Sequence, residues 1–173
     1  GCGKTEILTH RIINARGQGY EFDDMMCLTF TNRASRGMIE RIRANINDPN
    51  VVDMSVGNLH HFCSRFLFVN NLLPHDTCII DELDIDDILD ECGIRKVMTD
   101  LNIRELTRNV LAESHRIYQQ EHNHPQSLFL YKALTPERHE EAYPVALKYY
   151  QYKKDTHLLD FDDLLLEAYT AMM

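Results

Sequence analysis

The stretch MMCLTFTNRA, residues 25–34, decides the fold class. Its first six residues, Met25–Phe30, form a short apolar run typical of a buried β-strand. A helix is predicted directly after this run, because Ala34, Met38 and Ile42 recur at helical spacing. A buried strand that leads directly into a helix is the repeating unit of parallel α/β sheets.

The same alternation continues on both sides of this stretch. A helix is predicted before it, since apolar residues recur at helical spacing from Ile7 to Ala15. After it, Val51–Val56 is predicted as a second strand, and Leu59–Leu67 carries the apolar stripe of a third helix. Cys78–Ile80 is a third short apolar run. The pattern over residues 1–82 therefore predicts a parallel α/β sheet covered by helices.

The character of the chain changes near residue 83, where strand signals stop. Leu101–Gln120 and Pro136–Lys154 are predicted as long amphipathic helices, and Asp160–Met173 as a further one. An all-helical insertion into an α/β domain accounts for this order. The predicted domains are residues 1–82 (first part of the α/β domain), residues 83–158 (helical subdomain) and residues 159–173 (returning helix).

Bulk composition sets the broad class of the protein. The 173 residues are 44% hydrophobic and 26% charged, which is typical of a soluble globular protein. No apolar run approaches the ~20 residues of a membrane span, and no secretory signal is recognisable, so no membrane partner is expected. The five cysteines are scattered without a C-x-x-C pair, which argues against zinc and disulfides. Free thiols suggest a cytoplasmic location.

Charge is distributed unevenly along the chain, whose net charge is −9. Residues 1–75 hold 8 Lys+Arg and 7 Asp+Glu, a net of +1. Residues 76–173 hold 10 and 20, a net of −10. An acidic second half is a poor binder of nucleic acid, so any phosphate binding is predicted in the first half.

The N-terminal residues Gly1-Cys2-Gly3-Lys4-Thr5 match the end of a phosphate-binding loop, G-x-x-x-x-G-K-[ST]. Glycines allow backbone N–H groups to turn towards phosphate oxygens, and the N-terminus of the following helix favours negative charge. Lys4 would contact the β and γ phosphates of ATP, and the Thr5 hydroxyl would coordinate Mg²⁺, so these two are the predicted catalytic residues. The structural alternative is a glycine turn before a helix.

Three further segments carry a family resemblance. Leu28–Ala34 resembles the TFTNKAA segment of UvrD/Rep-type DNA helicases, Val56–His60 occupies the place of their GTFH segment, and Leu159–Leu165 resembles their LDFDDLL segment. The resemblance implies an incomplete RecA-like P-loop NTPase sheet interrupted by a helical subdomain. It also implies an ATP-driven motor that moves along single-stranded DNA, typically 3′ to 5′, and separates duplex DNA.

The resemblance also implies which residues contact DNA. The Phe30 ring would stack on a base, an interaction worth ~1–3 kcal/mol. Thr31 and Asn32 offer short hydrogen-bond donors to a phosphate, and Arg33 adds positive charge. The structural alternatives are a core phenylalanine and an ordinary solvated arginine.

The GTFH-like segment supplies two further DNA-binding candidates. Asn58 is predicted to cap the helix that starts at Leu59, and His60 is placed to hydrogen-bond the DNA backbone. The alternative is that His60 only decorates the polar side of that helix. Leu159–Leu165 is predicted first as a helix start, with Asp160 as its cap.

Two rival interpretations remain open. Ile80-Asp81-Glu82 ends an apolar run in two acids, as a Walker B strand does, and would make the chain a compact P-loop ATPase. However, 8 acids and no Lys or Arg lie in residues 76–91, which favours a simple acidic helix. In the resemblance the Walker B acids follow the LDFDDLL helix, so the 173 residues alone are predicted to have no helicase activity and little or no ATPase activity. The second rival is an acidic helical module that binds protein partners through residues 84–158.

Overall fold

The computed structural model describes residues 3–29 and 31–173, which form two compact units divided between Arg65 and Phe66. The predictions made for Gly1, Cys2, Phe30 and the Thr5 hydroxyl lie outside the described residues. The helices are α1 (Lys4–Gly17), α2 (Asn32–Asn45), α3 (Leu59–Val69), α4 (Glu82–Glu91), α5 (Ile103–Glu121), α6 (Pro136–Thr156) and α7 (Phe161–Met172), and the strands are β1 (Met26–Thr29), β2 (Ser55–Asn58), β3 (Cys78–Ile79) and β4 (Leu158–Leu159).

The first unit is built on a parallel pair of strands. β1 and β2 are paired in register from Met26 opposite Ser55 to Thr29 opposite Asn58. Apolar side chains of α1, α2 and the strands meet in one core, because each helix turns its apolar face inward. Its buried members are Ile12, Phe22, Cys27, Ile42, Val51 and Met54.

The prediction of a strand over Val51–Val56 is wrong at its beginning. Pro49–Asp53 form a 3₁₀ helix, and β2 begins only at Ser55. The Asp48 carboxylate accepts a hydrogen bond of 2.9 Å from the Asn50 backbone N–H, and Pro49 fixes the first helical position. These two residues impose a turn on a β-branched sequence, while Val51 keeps its place in the core.

The second unit is mainly helical. α5 and α6 pack along each other, and α4 packs against α6. Residues 83–157, all of which the structure describes, contain no strand. The core of this unit combines residues from all three helices and the segments between them, including Ile80, Leu89, Ile94, Leu106, Val110, Val145, Ala146 and Tyr149.

The third apolar run, Cys78–Ile80, forms a strand, but its partner is distant in sequence. β3 pairs in parallel with β4. The backbone N–H of Cys78 donates to the carbonyl of His157 at 3.0 Å, and that of Ile80 donates to Leu159 at 2.9 Å. The chain returning from the helical segment therefore lies beside the chain that entered it.

The described helices include none that could span a membrane, either in length or in apolar character. The longest, α6, is amphipathic and contains lysines and acids along its length. The described structure thus consists mostly of helices with two short parallel strand pairs, which is compatible with a fragment of an α/β domain.

Candidate functional site

Two strand-to-helix junctions lie side by side in the first unit. Thr29, the last residue of β1, pairs with Asn58, the last residue of β2. Because the strands are parallel, both continue into their helices, α2 and α3, at the same edge of the sheet. The predicted DNA-binding residues of the two segments are thereby brought together at this edge: Thr31, Asn32 and Arg33 after β1, and Asn58 and His60 after β2.

Capping hydrogen bonds fix these junctions. Thr31 is the N-cap of α2, and its side-chain oxygen accepts from the Ala34 backbone N–H at 3.2 Å. The Asn58 side-chain oxygen accepts from the His61 backbone N–H at 2.7 Å, so the predicted cap of α3 is confirmed. The Asn58 amide nitrogen donates to the Asn32 side-chain oxygen at 2.5 Å. One side chain therefore caps its own helix and links the two segments.

A hydroxyl pair that the sequence analysis missed stabilises the first junction. The Thr29 hydroxyl lies 2.6 Å from the buried Ser35 hydroxyl, so one of the two donates to the other. The Thr31 carbonyl lies 3.0 Å from the Thr29 hydroxyl and 3.1 Å from the Ser35 hydroxyl, and accepts from the one whose proton is left. These contacts link the end of β1 to the first turn of α2. The sequence signal for this pair was a threonine near the end of a predicted strand, Thr29, followed by a serine in the first turn of the predicted helix, Ser35.

The chemistry of this edge suits an anion. Thr31, Asn32 and Arg33 are exposed, and Asn58 and His60 are partly exposed. Helices α2 and α3 both begin at this edge. The backbone N–H groups of their first turns and the positive ends of their helix dipoles attract a negatively charged ligand. Arg33 adds a full positive charge within the first turn of α2. Such an edge can bind a phosphate backbone through short donors and one cation.

The described part of the predicted phosphate-binding loop lies at the start of α1. Gly3 is the N-cap and Lys4 is the first helical residue, and both are exposed. No described side chain caps this helix end, which leaves its first-turn N–H groups available to an external anion. The residues described here fit a bound phosphate group, although the predicted ligand of Mg²⁺, the Thr5 hydroxyl, lies outside the described residues.

The LDFDDLL segment begins α7 in the second unit, as predicted. Asp160 is the N-cap, and its carboxylate accepts from the Asp163 backbone N–H at 2.9 Å. The Asp163 carboxylate accepts from the Asp160 backbone N–H, also at 2.9 Å. This reciprocal pair is a capping box, and both aspartates are buried.

A buried lysine and a buried histidine neutralise these aspartates. The Lys153 ammonium lies 2.9 Å from Asp160 and 2.5 Å from Asp163. The His115 Nε2 lies 3.1 Å from Asp160, and the Tyr149 hydroxyl donates to the same carboxylate at 3.2 Å. His115, Asp160 and Asp163 have the ligand types of a metal site, but the Lys153 ammonium already supplies the cation between the two carboxylates.

The pKa shifts follow from this arrangement. Burial alone would raise the pKa of Asp160, but Lys153 and His115 lower it well below its usual value. Burial raises the pKa of Asp163 and is only partly offset by Lys153. Burial would lower the pKa values of Lys153 and His115, but the two aspartates raise both. The ionised Asp160 therefore stabilises the charged forms of Lys153 and His115, although the two cations repel each other.

Lys153 and His115 were not among the residues predicted from the sequence, although the position of Lys153 in α6 gave one indication. Val145, Ala146, Tyr149 and Lys153 recur at three- and four-residue spacing, so the lysine falls on the buried stripe of α6. A lysine on such a stripe requires an acidic partner in the core. Only the tertiary structure identifies that partner as the capping box of α7.

The acids of the rival Walker B interpretation form another helix cap. Asp81 is the N-cap of α4, and its Oδ1 accepts from the backbone N–H groups of Leu83, at 2.9 Å, and Asp84, at 3.1 Å. The Asp84 carboxylate accepts in return from the Asp81 backbone N–H at 3.1 Å. Glu82 is exposed in the first turn. The local chemistry of this pair is that of a helix start.

Comparison with known proteins identifies the family of the chain. The family model of the UvrD/REP helicase N-terminal domain matches residues 1–173. The chain belongs to the UvrD/Rep helicase family. It is 30% identical to the ATP-dependent DNA helicase SRS2 of Saccharomyces cerevisiae over 203 aligned positions, which cover 99% of this chain and 16% of SRS2. It is 37% identical to the ATP-dependent DNA helicase PcrA of Bacillus subtilis over 68 positions, covering 39% of this chain and 9% of PcrA.

This UvrD/Rep family chain thus spans a small part of the relatives it matches. Its family-specific segments lie at strand-to-helix junctions in both units. The segments after β1 and β2 meet at one sheet edge, and the LDFDDLL segment caps a helix in the other unit. The junctions after β1 and β2 are exposed and form a candidate binding edge. The junction after β4 is buried and forms a structural cluster.

Proposed function

We propose that this chain is part of an ATP-dependent DNA helicase or translocase in which residues 31–33, 58 and 60 contact single-stranded DNA. The single observation that carries the proposal is the Asn58–Asn32 hydrogen bond at the common edge of β1 and β2. It joins two family-specific segments that are 26 residues apart in sequence. Family membership supplies the second support.

The proposed contact is made mainly to the DNA backbone. Thr31 and Asn32 present short polar groups, and the two helix N-termini add backbone N–H groups, none of which reads base identity. Arg33 supplies the charge that releases counterions when a phosphate binds. Phe30, which follows β1 in sequence, is proposed to stack on a base. Duplex DNA would be separated by the whole motor, with the 3′-to-5′ direction that the resemblance implies.

ATP and Mg²⁺ are the proposed cofactors. Bound ATP would supply the free energy for movement along DNA through hydrolysis of its γ-phosphate. In this chain, Gly3 and the uncapped N-terminus of α1 would hold phosphate oxygens, and Lys4 would neutralise their charge. Gly1, Cys2 and Thr5 complete the proposed loop, with the Thr5 hydroxyl as the Mg²⁺ ligand. A labelled ATP analogue should bind the chain, and Lys4→Ala should abolish that binding.

The capping role of Asp81 supports the proposal that the 173 residues alone hydrolyse no ATP. The Asp81 carboxylate already accepts two backbone N–H groups of α4, so it is used to start a helix. Measuring phosphate release by the chain and by Glu82→Gln tests this proposal. Turnover that disappears in Glu82→Gln would show that Asp81 and Glu82 work as a Walker B pair, and the proposal would be wrong.

The decisive experiment measures DNA binding at several salt concentrations. Fluorescence anisotropy of a labelled oligothymidylate would be followed with the native chain, Arg33→Gln and Arg11→Gln. Arg11 is also exposed and lies in the same unit on α1, so its variant carries the same charge change at a residue outside the proposed contact. We expect Arg33→Gln to reduce the slope of log K against log salt by about 0.7, the value for one phosphate contact on single-stranded DNA.

The Arg11→Gln control separates a local contact from general charge attraction. It should leave the salt slope unchanged if binding occurs at the edge of β1 and β2. An equal loss of slope in both variants would mean that the first unit attracts DNA only through its overall charge. In that case the proposed contact residues would be wrong, even though the family assignment would stand.

A further inference from the structure

A groove in the second unit has no part in the proposed DNA contact. It is lined by α4, α5 and the turn after α4, and has a volume of about 440 Å³. The buried side chains of Ile85, Leu89 and Ile94 form its apolar base and belong to the core of this unit. The groove also exposes apolar surface, because Ile103 is 44% exposed and Leu111 is half-buried.

The two helices give the groove sides of opposite charge. On the α4 side, Glu82, Asp86 and Asp90 are spaced by four residues, so they repeat about once per helical turn. On the α5 side, Arg104 and Arg108 have the same spacing. All five side chains are exposed. Each side thus carries a row of like charges parallel to its helix axis.

These opposite charges do not neutralise each other across the groove. Asp90 pairs at 2.8 Å with Arg95 in the turn after α4, so this pair lies near the C-terminal end of α4. Among residues 3–29 and 31–173, neither Arg104 nor Arg108 forms an ion pair with any acid. Glu82 and Asp86 on one side, and Arg104 and Arg108 on the other, therefore remain available to an occupant, together with the apolar surface of Ile103 and Leu111.

We propose that this α4–α5 groove binds an amphipathic helix of a partner protein. The apolar stripe of that helix would cover the apolar surface of Ile103 and Leu111 above the buried base, as in other helix-in-groove complexes. A basic row on one flank of the stripe would face the α4 acids, and an acidic row on the other flank would face Arg104 and Arg108. Side chains four residues apart on a helix match the spacing of both rows.

The charges of the groove favour a helix with oppositely charged flanks over a nucleic acid or a helix whose flanks carry the same charge. A nucleic acid carries negative charge along its whole length, and the row of Glu82 and Asp86 would repel it. A helix with flanks of one sign would be attracted to one side and repelled by the other. A helix that carries positive charge on one flank and negative charge on the other, with an apolar stripe between them, complements the acidic row, the basic row and the apolar surface of the groove.

Three synthetic helical peptides would test the groove, using the complete 173-residue chain. All share a leucine stripe; one has lysines on one flank and glutamates on the other, one has lysines on both flanks, and one has glutamates on both. A helix can lie in either direction, so one mixed peptide suffices. Anisotropy titrations should show tightest binding of the mixed peptide by the native chain.

The variant Arg104→Glu/Arg108→Glu makes both sides of the groove acidic. It should bind the mixed peptide roughly tenfold more weakly, because two attractions become repulsions, and should now prefer the peptide with lysines on both flanks. Lys132→Glu/Lys148→Glu makes the same charge change at exposed residues outside the groove. This control should retain the preference of the native chain.

Several outcomes would overturn the proposal. A native chain that does not prefer the mixed peptide, or a control that shifts preference as strongly as the groove variant, would exclude a groove-specific contact. Loss of oligothymidylate binding in the groove variant, with peptide preference unchanged, would assign the groove to nucleic acid. Self-association of the native chain that the groove variant abolishes would identify a second copy as the occupant.

Discussion

The two parallel strand pairs use the same local chemistry and expose it differently. After β1 and β2, Thr31 and Asn58 cap helices at a sheet edge that also exposes Arg33. After β4, Asp160 caps a helix in the same manner but is buried with Lys153. The comparison teaches that a capping residue indicates a helix start, whereas its surroundings decide whether it can also bind a ligand.

The difference has a direct energetic meaning. Around the exposed junctions, water screens charge, so a substitution should change binding more than stability. Around Asp160, charges are removed from water, so losing one partner leaves another charge buried and unpaired. The same type of substitution is therefore expected to have different effects in the two units.

The largest effect is expected for Lys153→Met. The methionine keeps most of the side-chain volume but removes the ammonium between Asp160 and Asp163, which should cost about 3–5 kcal/mol of unfolding free energy. Urea denaturation measures this cost. Lys154→Met is the matched control, because Lys154 is 53% exposed and its ion pair with Glu121 should contribute less than about 1 kcal/mol. Equal costs would show that the buried cluster is no more important than a surface pair.

A smaller effect is expected for Asp81→Ala. Two backbone N–H groups of α4 lose their acceptor, and the unfolding free energy should fall by about 1–2 kcal/mol. The neighbouring variant Glu82→Ala removes an exposed acid that caps nothing in the described structure, so its cost should stay within about 0.5 kcal/mol. Thermal or urea unfolding distinguishes the two. A larger cost for Glu82→Ala would contradict the capping role of Asp81.

Asn58 allows capping and DNA binding to be separated. Asn58→Ala should cost about 1 kcal/mol, because the His61 N–H loses its acceptor. Asn58→Asp keeps that acceptor and should retain stability, but its negative charge should weaken binding of oligothymidylate. Unfolding and anisotropy measurements on the same two variants test both points. DNA binding that Asn58→Asp leaves unchanged would place the contact elsewhere.

The smallest effect concerns pH. Burial would lower the pKa of His115, but the hydrogen bond and charge of Asp160 raise it above 6.5. Stability from the charged histidine is therefore fully present below about pH 6.5 and lost as pH rises through the raised pKa. We expect the stability difference between the native chain and His115→Gln to shrink as pH rises above 6.5 and through the raised pKa. A difference that grows with rising pH would show that the pKa of His115 is lowered in the folded chain.

Much of the fold could be predicted from local patterns. The helical spacing of Met38 and Ile42 predicted α2, and the apolar run from Met25 predicted β1. The prediction failed at Val51, because β-branched residues suggest a strand while Asp48 and Pro49 impose a turn. Local propensity is a weak guide where capping and proline geometry compete with it.

The candidate DNA-binding edge was predictable only in part. The motif residues Asn32, Arg33 and Asn58 were recognisable one by one, and the capping role of Asn58 followed from its position before a helix. The Asn58–Asn32 bond could not be predicted from either segment alone. It depends on the register of β1 against β2, which pairing between distant residues establishes.

Several helix starts and the family-specific segments follow from the sequence alone, because capping and apolar periodicity act between near neighbours. Which capping residues remain exposed, and which are buried, depends on how the helices pack. Asp160 lies between Lys153 and His115 because α5, α6 and α7 pack together, and no pattern within any one helix specifies that contact. Burial is a property of the packed chain, and burial separates the structural aspartate from the candidate binding asparagine.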